Sequence, residues 1–229
     1  MPLVDVVAWH PMYGTSPDFE AEREYYYAYP AIVADLKAKA VSHGFRGEFR
    51  GDELSWCSPD LQGCGAESHM QSNAGAAKYY SRGIAMHLGM DLAVHLGSIS
   101  SMCQETTAVV SNLATAFAGA RPAPFPIQAQ AAVTGVVSYT FSLPAGGWLV
   151  ALWRDAPAVD DDPGTAITLT LPGLAGHSAA GLDPLHSLFQ PLRTRCEGGA
   201  LLIPGLVLKD DTALVMISPQ RRVDLPAVT

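Results

Sequence analysis

Apolar and polar positions alternate in two different ways along this chain. In the first half, apolar runs of strand length are separated by stretches with helical spacing. Val4 to Trp9 is such a run, and Ser16-Pro17 then supplies an N-cap and a first-turn proline for a helix expected to begin near Asp18. Pro30 interrupts that helix or starts a second one, carried by Ile32, Val33, Leu36 and Val41 to a stop at Gly44. Phe45 to Leu54 reads as the next strand. Asn73 to Leu88 reads as a helix with Tyr79, Tyr80, Ile84 and Leu88 on one apolar face. Asp91 to Leu96 is a third strand and Glu105 to Ala118 a third helix, directed inward through Val109, Val110, Leu113 and Phe117. The order β-α-β-α-β-α calls for a mostly parallel sheet with helices packed on it.

The pattern changes after Arg121-Pro122-Ala123-Pro124-Phe125-Pro126, where closely spaced prolines make a stiff connector. Val136 to Leu143 and Trp148 to Trp153 flank Pro144-Ala145-Gly146-Gly147, a hairpin signal. Further short strands fit Ala166 to Leu171, Ser178 to Leu182, Leu185 to Gln190, Ala200 to Ile203, Leu206 to Lys209 and Ala213 to Ile217. Strands at this spacing, cut by Gly, Pro and Asp turns, predict an antiparallel β-sandwich. The expected organisation is α/β plus all-β, with an α/β part over 1–121 and a β-sandwich over 122–229.

Composition narrows the classes of function. A net charge of -8 with only 14 Lys and Arg argues against nucleic acid as a partner. No apolar run approaches the roughly 18 to 20 residues that span a bilayer, so no membrane role is expected. Met1-Pro2-Leu3-Val4-Asp5 has neither the basic start nor the apolar run of a signal peptide. The chain is expected to begin inside a strand, as a domain cut from something longer does, and its compartment stays open. Cys57 and Cys64 flank a loop short enough for a disulfide in an oxidising environment; two thiols beside a loop is the alternative. CxxC and HxxxH spacings are absent, so no metal site is expected, and nothing calls for a cofactor. The acidic run Asp160-Asp161-Asp162 lacks the spacing of a calcium loop and reads as a solvated turn.

The candidate chemistry lies where the parallel strands end. Tips of parallel strands share one rim, so His10 and Tyr13 after the first strand, Glu53 and Trp56 after the second, and His95 in the third are expected to converge, with Trp9 beside them. Glu53 leads, because a carboxylate at the end of an apolar strand must find solvent, a cation or a task. Strict alternation puts Phe49, Gly51 and Glu53 on one face and Glu48, Arg50 and Asp52 on the other, which separates Asp52 from Glu53.

The order of Val6-Val7-Ala8-Trp9-His10-Pro11-Met12-Tyr13-Gly14, then Gly47 to Trp56, then Met90-Asp91-Leu92-Ala93-Val94-His95, then an antiparallel domain, resembles the C-terminal part of a clan A glycoside hydrolase. The resemblance extends over about the whole chain, through short motifs. It implies a partial (β/α)8 barrel, about the last three β/α units, followed by an accessory β-sandwich, and a carbohydrate substrate. Glu53 would then be the nucleophile of a retaining mechanism, His10 and Tyr13 would position it or bind sugar, and Trp56 would line a subsite. The family's acid/base Glu, at the end of an earlier strand, has no counterpart. Asp91 is at the wrong end of its strand, and Glu67 and Glu105 lie in a loop and a helix start. A missing N-terminal barrel segment or a partner chain would have to close the barrel, and the isolated chain is expected to be weakly active or inactive. The competing reading is a non-catalytic carbohydrate-binding or structural module built on the β-domain, with Trp148 and Trp153 as a platform. A complete small doubly wound hydrolase fits less well, since there is no GxSxG elbow and no Gly-rich phosphate loop.

Overall fold

The computed structural model describes residues 4–61, 64–65, 68–96, 102–130 and 134–219. Glu67 lies outside them, as do Gly97 and Ser98, which follow the third expected strand. Strands β1 (Val6–Trp9) and β2 (Met12–Tyr13) both run parallel to β3 (Glu48–Ser55) along one of its edges. Helix α1 (Arg23–Ser42) connects β2 to β3, and α2 (Asn73–Gly89) connects β3 to β4 (Ala93–Leu96). β4 lies parallel to β3 on its other edge, and α3 (Gln104–Ala116) follows.

Helix α1 departs from its predicted course at both points where proline was the guide. It starts at Arg23 rather than near Asp18, and Glu22 makes no side-chain cap bond. The Asp18 carboxylate is instead drawn across the molecule to His69 Nε2 at 3.1 Å, Gln71 Nε2 at 2.9 Å and the Tyr79 hydroxyl. Arg23 Nε closes the resulting turns on the Pro17 carbonyl at 2.6 Å. Pro30 sits inside one continuous helix, neither breaking it nor beginning another. The stop is where Gly44, at φ +86°, takes a left-handed conformation that suits glycine.

Helix α2 has the predicted span but not the predicted single apolar face. It is buried along its whole middle, from Gly75 to His87. A Cβ at Gly83 would stand 2.5 Å from Trp56 Cη2, and one at Gly89 would stand 2.1 Å from Tyr139 Cδ1. The helix therefore packs on β3's following loop from one side and on the β-domain from the other. Its buried charges are answered across that contact: Lys78 Nζ donates to Asp210 Oδ1 at 2.7 Å, and Arg82 Nη1 to the Ala156 carbonyl at 2.8 Å.

The second half forms two antiparallel sheets. Its strands are β5 (Arg121–Pro122), β6 (Gln128–Gln130), β7 (Val136–Ser142), β8 (Trp148–Arg154), β9 (Thr165–Pro172), β10 (Ser178–Asp183), β11 (Leu188–Pro191), β12 (Arg195–Glu197), β13 (Ala200–Leu208) and β14 (Ala213–Ser218). One sheet has the order β11-β10-β14-β8-β7-β5 and the other β12-β13-β9-β6. The two apolar runs at 200–203 and 206–209 are one strand, β13, with an irregularity between Pro204 and Leu206. Leu185 to Ser187 is a turn rather than the start of a strand, because Asp183 Oδ1 accepts the Leu185 and His186 amides at 3.0 Å each. The six-stranded sheet is covered on both faces. Leu149, Ala151 and Trp153 face the helices in one apolar core, while Val150 and Leu152 face the second sheet in another. Among the described residues no helix is long and apolar enough to cross a membrane.

Candidate functional site

The rim of the parallel sheet is shaped by a slip in strand β3. Trp9 pairs with Gly51 and Met12 with Leu54, so His10 and Pro11 stand opposite Asp52 and Glu53. On the other edge Val94 pairs with Gly51 and Leu96 with Leu54, so His95 alone spans the interval that two β3 residues occupy. This is a β-bulge, and it breaks the alternation. Phe49, Gly51 and then Leu54 are buried, so Asp52 and Glu53, next to each other in sequence, are both turned away from the core. The predicted separation of Asp52 from Glu53 is thereby corrected.

The bulge follows from what lies beneath Gly51. A Cβ there would meet His87 Cδ2 at 2.8 Å and Pro11 Cγ at 3.2 Å, so only glycine allows the strand to settle on that ring. His87 is wholly buried and its Nδ1 is 2.6 Å from the Gly83 carbonyl, which places the ring proton on Nδ1. Nε2 then accepts from the Tyr29 hydroxyl at 2.8 Å, and the Tyr29 oxygen accepts from Trp9 Nε1 at 3.2 Å. Burial, partly offset by the Gly83 hydrogen bond, pushes the imidazole down to about 4, so it is neutral near pH 7.

On this base three side chains converge. His10 Nδ1 lies 3.1 Å from Glu53 Oε2 and 3.2 Å from the Tyr13 hydroxyl. Asp52 Oδ1 is 3.8 Å from the opposite ring nitrogen, Nε2. Burial, the hydrogen bond to Glu53 and the charges of Glu53 and Asp52 together push the Tyr13 phenol up to about 12. Tyr13 therefore stays protonated beside the Glu53 carboxylate, its hydroxyl 3.2 Å from His10 Nδ1. The cluster is open to solvent, with the His10 side chain 56% and the Glu53 side chain 43% exposed. Exposed pairs of this kind contribute only about 0.2–1 kcal/mol. Stability does not account for them, whereas a carboxylate at the tip of a parallel strand with an imidazole in contact is placed for chemical use.

A second network fixes the loop that carries Tyr13. The Gly14 amide donates to the Ser55 carbonyl at 2.7 Å, and Asp18 ties the same loop to His69, Gln71 and Tyr79. Burial opposes ionisation of Asp18, but the hydrogen bonds from Tyr79, Gln71 and His69 outweigh it and hold the carboxyl far below the usual range. Behind the rim, Cys57 and Cys64 are joined in a disulfide with Cα atoms 5.8 Å apart.

The other predicted residues fall outside the cluster. Trp56 is 1% exposed, stacks on Tyr79, meets Tyr80 edge to face, and donates its indole N–H to the Thr15 carbonyl at 2.9 Å, so it presents no surface to a ligand. Trp9 is half-buried and spends its N–H on Tyr29. His95 is exposed on β4 beside the bulge, without a hydrogen bond to Glu53, His10 or Tyr13 among the described residues. Trp153 is buried in the core, and Trp148 packs on Phe125 with ring centroids 4.6 Å apart. Asp162, expected in a solvated turn, is buried and paired with Arg154 at 2.9 Å. Asp52 was passed over by strict alternation; Gly51 inside a strand was the one signal of a bulge that would have recovered it.

The fold has counterparts among solved structures. The chain is similar to a GH51 arabinofuranosidase from Xanthomonas axonopodis pv. citri, with a TM-score of 0.53 and 14% identity over 93% of this chain and 53% of that one. It is also similar to a glycoside hydrolase family 5 protein from Bacteroides vulgatus ATCC 8482, with a TM-score of 0.51 and 7% identity over 96% and 51%. At these identities the likeness is one of fold. The chain spans about half the length of either protein. No family model matches it, and no curated protein matches it in sequence.

Proposed function

We propose that the chain carries the nucleophile side of a retaining glycoside hydrolase site. The observation that carries this reading is Glu53 itself, at the end of a parallel strand, in contact with His10 Nδ1 at 3.1 Å, a nitrogen that also meets the Tyr13 hydroxyl at 3.2 Å. Glu53 attacks the anomeric carbon, and the glycosidic oxygen leaves with a proton from a second carboxyl group. That group later deprotonates the water that releases the sugar. His10, and Tyr13 beside it, hold Glu53 in line for attack. Asp52 lies on the far side of the imidazole, its Oδ1 3.8 Å from Nε2 and beyond hydrogen-bonding distance, and takes no direct part.

The likeness in fold to two glycoside hydrolases supports this reading, as does the share of their length that the chain spans. The three β/α steps are the closing part of a (β/α)8 barrel over 1–121, and the antiparallel sheets over 122–229 are the domain that braces it. The proton donor and the remaining barrel strands come from another segment or a partner chain, so this chain alone has little turnover. The substrate is a carbohydrate.

A 2-deoxy-2-fluoro glycosyl fluoride panel tests the assignment, with the labelled peptide located by mass spectrometry. A glycosyl adduct on Glu53 is expected, lost in Glu53→Gln and slowed about ten-fold or more in Tyr13→Phe. An adduct on another carboxylate, or robust turnover of an aryl glycoside by the isolated chain, would overturn it.

A further inference from the structure

The β-domain has a cleft that the Glu53 chemistry does not use. It is about 290 Å³ in volume and opens between the two sheets, bounded by β10, β11, β13 and β14. Its walls are mainly apolar, from Leu182, Phe189, Leu192, Leu206 and Leu214. The irregularity in β13 shapes one side. Gly205, at φ +73°, turns the strand where it passes the cleft. Leu188 and Val207, exposed at the rim, extend the apolar surface outward.

One polar group in that wall is out of place. Asp211 is only 5% exposed, and its buried Oδ1 has no hydrogen-bond partner. Other acids nearby are used within the fold: Asp210 holds Lys78, Asp162 holds Arg154, and Asp183 accepts the Leu185 and His186 amides. An unpaired buried carboxylate is costly unless it has another purpose. Asp211 also lines a second, polar cleft of about 230 Å³, shared with Asp160, Asp161, His186 and Lys209. Carboxylates outnumber cations around it, so the local field favours positive charge. Burial and the Asp183 charge raise the Asp211 pKa while the Lys78 and Lys209 charges lower it, and a cation reaching so buried a carboxylate is screened less than at an exposed acid. Among the described residues no group of three or more His, Cys, Asp or Glu side chains is arranged to hold a metal ion. Apolar walls leading to a buried acid suit an organic cation better.

We propose that this cleft binds a small amphiphilic amine, its apolar body between Leu182, Phe189 and Leu206 and its ammonium on Asp211. A site of this form, an apolar pocket with one well-placed charged group, is the common pattern for small ligands. The ammonium supplies a cationic partner for the Asp211 carboxylate where that residue lines the cleft.

Two probes with the same body separate the charge from the apolar contact. The full chain is titrated with 2-phenylethylammonium and, separately, with 2-phenylethanol, and followed by amide correlation spectra. The ammonium is expected to shift the Gly181, Gly205 and Val207 amides and to bind at least about ten-fold more tightly than the alcohol, the scale of a charged hydrogen bond. Asp211→Asn should remove that preference. Should this variant fail to fold, Val207→Lys places a positive charge at the exposed rim and should weaken the ammonium alone. Equal affinity for the two probes, shifts confined to other residues, or unchanged ammonium binding by Asp211→Asn or Val207→Lys would overturn the proposal.

Discussion

Mild acid should loosen this protein through His87, the buried ring beneath the bulge. Its Nδ1 proton is engaged by Gly83 and its Nε2 lone pair by Tyr29, so a second proton has no place without breaking the Trp9-Tyr29-His87 chain. The folded value is about 4, with burial as the main cause, against the ordinary 6.5. For a base with a depressed value the unfolded chain takes up its proton first. Stability is therefore full above about pH 6.5 and falls as the pH drops toward 4, where the folded form also begins to protonate. A shift of this size converts to roughly 3 kcal/mol in full, of which roughly 2 kcal/mol is lost between pH 7 and 4.5. That is a large share of the roughly 5–15 kcal/mol of a typical domain. Urea unfolding at the two pH values, followed by tryptophan fluorescence, measures the loss. The same pair of curves for His87→Gln removes contributions from other groups, including Asp155 and Asp211, whose raised values act in the opposite direction. An equal loss in the wild type and in His87→Gln would refute the assignment.

Two further outcomes follow from the packing of α2. Gly83→Ala places a methyl group 2.5 Å from Trp56 Cη2 and should cost about 1–3 kcal/mol, read as a lower thermal midpoint, whereas Gly65→Ala, with nothing within 4 Å, should be close to neutral. Lys78→Met leaves Asp210, 0% exposed, without its cation and should cost about 3–5 kcal/mol in chemical denaturation; adding Asp210→Leu should restore much of that loss, and no recovery would show that the pair is not coupled.

What could be read from the residues was local. The β7–β8 hairpin follows from Pro144-Ala145-Gly146-Gly147 between apolar runs, and α2 and α3 keep their predicted spans to within a residue or two because their periodicity is strong. The predicted helix start near Asp18 failed because a carboxylate there finds partners 51 to 61 positions away, a competition that no local pattern records. Trp56 was expected at a subsite, but the missing side chain at Gly83 opens a slot that the indole fills. Lys78 and Arg82 carry the polar signature of an outer helix face. They are inside because the β-domain brings Asp210 and the Ala156 carbonyl to them.

By itself, then, the order of residues determined the alternation of strands and helices, the change to antiparallel strands, and Glu53, His10 and Tyr13 as neighbours on one rim. Strand parity, hydrophobic period and turn chemistry act over a few residues, and the shared rim of parallel strand ends supplies the rest. Tertiary structure alone decided that Asp52 turns away from the core together with Glu53, that Trp56 belongs to the core, and that Asp211 stands unpaired in a cleft. Each depends on which distant atoms occupy the adjoining space: His87 under Gly51, Gly83 beside Trp56, and the walls of two sheets around Asp211.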